Sequence, residues 1–127
     1  MNSIIVFFQK STELLFGPVD DLLHLFVLFV SIDYITGVMV AFHQRKLSSK
    51  IGFLGIGKKF IAFVVIAIAH AADQYLTRTD ELIQQTTTLF FMSNECISIL
   101  ENATKLGIKL PSKLKVILSA FSSQNKP

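Results

Sequence analysis

Long apolar stretches separated by short polar segments dominate the chain. One stretch, about residues 22–42, can cross a hydrocarbon core of roughly 30 Å at about 1.5 Å per residue. A second, about 60–76, is near the short end of the spanning range. A third, about 82–100, is long enough but carries four strongly polar side chains: Gln84, Gln85, Asn94 and Glu95. The pattern predicts an all-α membrane protein with three transmembrane helices.

Two shorter segments flank these predicted spans. Residues 4–16 are too few to cross a bilayer and end at Gly17-Pro18, which predicts an N-terminal helix in the membrane interface. Residues 113–121 alternate lysines with apolar residues after Ser112, a good helix cap. They predict a basic amphipathic segment on an anionic inner leaflet, although a frayed basic end fits equally well. We therefore expect a single membrane domain over residues 1–127.

Composition supports a membrane setting. The 127 residues are 51% hydrophobic and 17% charged, with a mean hydropathy of +0.55, whereas soluble domains carry about 25% charged residues. One small core could not bury that much apolar surface. The single cysteine, Cys96, excludes an internal disulfide; it reads as a small buried apolar residue, with intermolecular pairing as the alternative. We expect no metal site and no cofactor.

Basic residues form two clusters that set the expected topology. The first follows the first span and the second lies in the C-terminal tail, and the positive-inside rule places both in the cytoplasm. Two crossings must then separate them, so the third stretch spans, with the N-terminus outside and the C-terminus inside. We expect inner-leaflet contacts, with anionic phospholipid, from Arg45, Lys46, Lys50, Lys58, Lys59, Lys113 and Lys115.

Polar and ionisable residues at membrane depth are the candidate functional residues: Asp33, His70, Asp73, Asn94 and Glu95. A charged side chain at mid-membrane costs about 2.5–3.5 kcal/mol on insertion scales, so such residues face protein or water. They predict helix-pairing contacts or a polar lumen. The alternative is that they only hold one bundle together, without a water path.

Small residues accompany these polar positions. Gly37 and Ala41 follow Asp33 at intervals of four, and Ala69 precedes Asp73 by four. Small residues at this spacing allow close approach of transmembrane helices. A three-helix monomer has little interior in which to hide so many polar groups, so we expect a homo-oligomer.

Three other kinds of function fit poorly. Residues 52–59 match a phosphate-binding loop except that Lys59 replaces the Ser or Thr, but no strand precedes them; their glycines instead predict a tight inner turn. His70 and Asp73 lack a nucleophile with an orienting base, so the chain is not expected to be an enzyme. Nucleic-acid binding lacks a domain that would present the lysines.

The order of several motifs resembles the toxin-secretion/phage-lysis holin family of Gram-positive bacteria and their phages. The resemblance covers about residues 22–118. Its motifs are DYITG at 33–37, KLSSK at 46–50, GIGKK at 55–59, the helix end from Ala69 to Asp73, NE at 94–95, SILEN at 98–102 and GIKLP at 107–111.

This resemblance implies a protein that oligomerises in the cytoplasmic membrane of a bacterium and opens large non-selective holes. A cell-wall hydrolase or an exported toxin would cross through them, which makes one of these the functional partner. It implies no cofactor and no bond-making chemistry. Two alternatives remain: a small proton channel or transporter subunit using His70 and Asp73, and an antiholin-type assembly partner that opens no hole.

Overall fold

Helices make up the computed structural model, which describes residues 2–46 and 48–124; of residues 49–51 and 121–124 only the backbone is described. No strand occurs in these ranges, so the predicted all-α class is confirmed. A π-helical turn, Ala72–Thr77, continues the third helix. The helices are α1 (Asn2–Phe16), α2 (Asp21–His43), α3 (Ser49–Ala71), α4 (Leu82–Lys105) and α5 (Ser112–Gln124).

Two of these helical segments are long and apolar enough to cross a membrane. They are Asp21–His43 and Gly52–Thr77, the latter comprising most of α3 and its π-helical turn. Helix α2 begins where expected, because the carboxylate of Asp20 accepts a hydrogen bond of 2.9 Å from the backbone N–H of Leu23. Helix α4 has 24 residues, but its composition is too polar for a candidate membrane span. The described part of the chain therefore has two candidate membrane-spanning helices and not the three predicted.

The start of α3 differs from the sequence prediction. The helix begins at Ser49 instead of near residue 60, and Gly52, Gly55 and Gly57 lie inside it. The prediction of a tight turn at these glycines was therefore wrong. Apolar residues separate the glycines, and in an apolar environment an unbonded backbone group is costly, so the helix continues through them.

Helix α4 occupies the centre of the bundle. It packs extensively against α2 and also against α3, whereas α2 and α3 touch each other only slightly. A small apolar core of Leu23, Phe26, Ala62 and Ile66 joins α2 to α3 towards the end of the bundle where α1 lies. The rings of Phe26 and Phe63 are 5.1 Å apart between centroids.

Most apolar side chains of the bundle point outwards. Phe42 of α2 is 75% exposed and Phe53 of α3 is 76% exposed, and many other apolar side chains of these helices are also exposed. Such a surface is unfavourable in water but suits lipid. The fold is therefore consistent with a bundle whose solvent is the hydrocarbon of a bilayer.

The two short helices lie at the ends of the chain. Helix α1 matches the predicted N-terminal helix and has no buried residue. It joins the bundle at Gly17, whose φ of +73° suits glycine and whose Cα lies so near His70 that an added Cβ would be 2.8 Å from the ring. Helix α5 follows Pro111, and Lys113 and Lys115 are exposed on it.

Candidate functional site

An ion triad joins the three long helices near the middle of each. The ammonium group of Lys59 on α3 lies 2.6 Å from Oδ2 of Asp33 on α2 and 2.7 Å from Oε2 of Glu95 on α4. The three side chains are largely buried, with 18%, 11% and 14% of their surfaces exposed. Each charge is paired where water is scarce, and removing one partner would leave the others uncompensated.

Asn102 extends this triad along the interface of α2 and α4. Its amide nitrogen lies 3.2 Å from Oδ1 of Asp33 and 2.9 Å from the hydroxyl of Thr36, to which it donates. Asp33 therefore receives bonds from α3 and α4 together. Glu95 and Asn102 thus join α4 to α3 and to α2, respectively.

Lys59 is the member of the triad that sequence reasoning missed. Its place in a basic cluster suggested a contact with the inner leaflet, but in this structure two carboxylates bind its amine. The signal was present in the apolar residues around it: once α3 begins at Ser49, Lys59 lies inside a spanning helix and needs an intramembrane partner.

A narrow cleft leads from the α2–α3 connection towards the triad. It has a volume of about 230 Å³, and its walls include Asp33 and Lys59 at one end and Lys46 and Ser48 at the other. Its remaining lining residues are mostly small or polar: Tyr34, Gly37, Val38, Ala41, Gly52, Gly55, Ser98 and Asn102. The predicted small residues Gly37 and Ala41 thus border a space between helices.

A second polar cluster closes the opposite end of the bundle. One ring nitrogen of His70, Nδ1, lies 3.1 Å from the side-chain oxygen of Gln84. The side-chain amide nitrogen of Gln84, Nε2, donates to the backbone carbonyl of Phe16, 2.7 Å away, and so holds the end of α1. His70 therefore helps to position helix ends.

Asp73 caps the start of α4 from a distance. Its carboxylate accepts hydrogen bonds from the backbone N–H groups of Ile83 at 3.0 Å and Gln84 at 2.8 Å, and from the hydroxyl of Thr79. The residue that directly precedes α4, Glu81, makes no side-chain cap. Asp73 thus satisfies N–H groups that a helix start leaves without partners.

An apolar layer separates the two polar clusters. His70 lies about 16 Å beyond Lys59 along α3, at about 1.5 Å per residue. Buried Phe26, Ala62 and Ile66 occupy the bundle between them. A proton path from His70 to Asp33 within one copy would have to cross this layer.

Asn94 is the predicted site residue that the structure does not bring to either cluster. It is exposed on α4, although Glu95 beside it points into the triad.

Of the other predicted residues, Ala69 is buried and Arg45, Lys46 and Lys58 are exposed, whereas the side chain of Lys50 lies outside the described part. Within residues 2–46 and 48–124, no three His, Cys, Asp or Glu side chains are grouped to hold a metal ion.

Comparison with known proteins assigns the chain to a family. Residues 11–123 match the bacteriophage holin family. The chain belongs to the bacteriophage holin family. The resemblance noted in the sequence is thereby confirmed, and this holin-family chain is a non-enzymatic membrane protein, as expected.

Relatives of this holin-family chain occur in bacteria and in a phage. A probable holin of Bacillus phage phi105 is 34% identical over 117 residues, covering 92% of this chain and 85% of that protein. An uncharacterized protein of Listeria monocytogenes, Lmo0128, is 40% identical over 111 residues, covering 87% and 79%. An uncharacterized 14.9 kDa protein from Clostridium perfringens is 36% identical over 110 residues, covering 87% and 83%. No solved structure matches the chain.

Replacing Lys59 with Met should destabilise the bundle strongly. The change leaves Asp33 and Glu95 as two partly buried carboxylates without their cation, a loss of about 3–5 kcal/mol in the free energy of unfolding. Thermal unfolding of the detergent-purified protein measures it. Lys58→Met is the matched control because Lys58 is exposed, so its effect should stay within about 0.5 kcal/mol. Equal losses in the two variants would contradict the triad.

Replacing Asp73 with Asn should loosen the start of α4. One carboxylate oxygen becomes an N–H₂ group facing a donor, which costs about 1–3 kcal/mol. Hydrogen exchange at the N–H groups of Ile83 and Gln84 should rise accordingly. Asp80→Asn is the control, because Asp80 is exposed and its φ of 57° is one that Asn adopts readily. Unchanged exchange in Asp73→Asn would show that the distant cap is unimportant.

Proposed function

We propose that this holin-family chain crosses the cytoplasmic membrane three times, with its N-terminus outside and its C-terminus inside. The main objection is the polarity of α4. Its polar side chains Gln84, Glu95 and Asn102 all bond to the rest of the bundle, so their cost in lipid is offset by partners. The placement of the basic residues supports the same topology, since three spans put both clusters on the cytoplasmic side.

We further propose that the chain acts as a holin, assembling with copies of itself into holes large enough for a folded protein. The observation that carries this proposal is the triad of Asp33, Lys59 and Glu95 in a member of the bacteriophage holin family. The three charges satisfy one another inside a closed copy. In an assembled hole, water could satisfy them instead, so the same residues are compatible with both states.

The cleft beside the triad supports such a change of state. It separates α2 from α3 over the half of the bundle that carries the α2–α3 connection. Its walls include Gly37, Ala41, Gly52 and Gly55, and these small residues leave room for water to approach the charges. The exposed basic residues next to it, Arg45, Lys46 and Lys58, would contact anionic phospholipid on the cytoplasmic surface. The cargo of the hole would be a cell-wall hydrolase or an exported toxin.

The topology can be tested with a reporter fused after Pro127. Three crossings predict that an enzyme active only in the cytoplasm is active in this fusion. The same reporter placed after Asp80, in the α3–α4 connection, should be inactive, because that connection lies outside. Activity of the Asp80 fusion together with inactivity of the Pro127 fusion would contradict the proposed orientation.

Hole formation predicts the escape of a folded cytoplasmic enzyme from cells that express the chain. Asp33→Leu should reduce that escape at least about tenfold, a factor equivalent to about 1.4 kcal/mol, because the triad loses one of its charges. Membrane levels of the protein should remain similar. Met39→Leu, a change at an exposed position of α2 outside the cleft, should leave escape unchanged.

The same measurement separates the alternatives. Leakage of protons without protein would indicate a narrow channel, and no leakage at all would indicate an assembly partner. Unchanged protein escape from Asp33→Leu would contradict the role given to the triad.

A further inference from the structure

The outward side of α4 has a composition unlike the other lipid-facing surfaces. We define the outer face of α4 by the exposed residues between positions 85 and 94, which are Gln85, Thr86, Leu89, Phe90, Ser93 and Asn94. Near the same depth, α2 and α3 expose mainly large apolar side chains such as Ile32, Ile35, Phe60 and Ile61. The exposed Lys58 is the exception, and its long side chain can extend towards the cytoplasmic surface. The polar residues on the inner side of α4 are already bonded within the bundle, whereas those on the outer face point away from it.

Asn94 is the critical residue of this face. It lies about 18 Å from the start of α4, at about 1.5 Å per residue, and so at the middle of the proposed span. The hydroxyl of Ser93 beside it donates to the carbonyl of Leu89 at 2.8 Å and needs nothing further. Among the side chains and backbone groups that the structure describes, none forms a hydrogen bond with the carboxamide of Asn94. Lipid offers it neither a donor nor an acceptor, so on the proposed topology this group requires a partner.

We propose that the outer face of α4 is the contact between two copies of this chain, with the Asn94 carboxamides paired across it. The inference rests on the three-span topology of the proposed function and adds the surface that the copies use. A carboxamide is both donor and acceptor, so two identical groups satisfy each other. Copies inserted in the same direction and related by a two-fold axis along the membrane normal bring Asn94 opposite Asn94 at equal depth. Hydrogen-bonded Asn side chains are known to hold transmembrane helices together.

The surrounding residues fit such a contact. Phe90, one turn before Asn94, is 62% exposed and supplies apolar area for the second copy. Ser93 is small and lets the helices approach closely. Asp33, Lys59 and Glu95 lie on the other side of α4, so their charges do not face the partner copy. The exposed Ser31 of α2, by contrast, donates to its own helix at Val27, 2.9 Å away, and calls for no partner.

Disulfide crosslinking in membranes tests the contact. The full chain carrying Cys96→Ala, which removes its single cysteine, receives Ser93→Cys and is treated with a mild oxidant. We expect crosslinked dimers from Ser93→Cys and few from the control Ile61→Cys, which lies on the exposed apolar face of α3. Adding Asn94→Leu should weaken dimer formation about five- to thirtyfold, the effect of losing one such hydrogen-bonded pair. Adding Ser31→Leu should leave it unchanged.

Several results would overturn the proposal. Equal crosslinking at Ser93→Cys and Ile61→Cys would indicate random collision, and crosslinking unaffected by Asn94→Leu would reject the carboxamide pair. Absence of the crosslink would also reject the contact. A charged maleimide then tells what the face meets instead, since rapid labelling of Ser93→Cys indicates water and slow labelling indicates lipid. Escape of protein without the crosslink would reject this contact alone, whereas the crosslink without escape would reject hole formation alone.

Discussion

The low dielectric constant of a lipid bilayer is the constraint on which the rest of this structure depends. A charge placed there without a partner is costly, so the ammonium of Lys59 draws one carboxylate from each neighbouring long helix. That requirement places α4 between α2 and α3, although α4 is the most polar of the three. It also explains why α2 and α3 need little direct contact with each other. Two of the polar residues that make α4 a poor span in isolation, Gln84 and Glu95, are among those that join it to its neighbours.

In the described part of the chain, the polar bonds between helices lie at two levels, with apolar packing between them. At one level the charges are paired across three helices; at the other, His70, Asp73 and Gln84 satisfy helix ends and the end of α1. These two levels have different tasks. Helix-end bonding is needed in any state of the bundle, because unbonded N–H groups cannot remain in lipid. The ion triad is the part whose partners water could replace, which is why the proposed function depends on it.

Sequence patterns predicted the parts of this fold that depend on local composition. Helix α2 follows from one long apolar run. Asp33 and Glu95 were predicted to be functional residues from their depth in the predicted spans. The start of α3 was missed because glycines and lysines together suggest a loop, whereas the apolar surroundings favour a continuous helix. Lys59 could not be paired with Asp33 and Glu95 in advance, because that contact depends on the register of three helices. Likewise, depth alone cannot separate Asn94 from Glu95, since neighbouring residues on a helix point about 100° apart.

The uneven distribution of these bonds also has a mechanical consequence. The end of the bundle that carries the α3–α4 connection is braced by Asp73, Gln84 and the aromatic contact of Phe26 with Phe63. The end that carries the α2–α3 connection holds a cleft between helices with small side chains. Stiffness therefore falls along the bundle from the first end to the second. A force that separates α2 from α3 would open the bundle first at the cleft. The braced end would act as the pivot, and the ion triad would be the last attachment to break before that end.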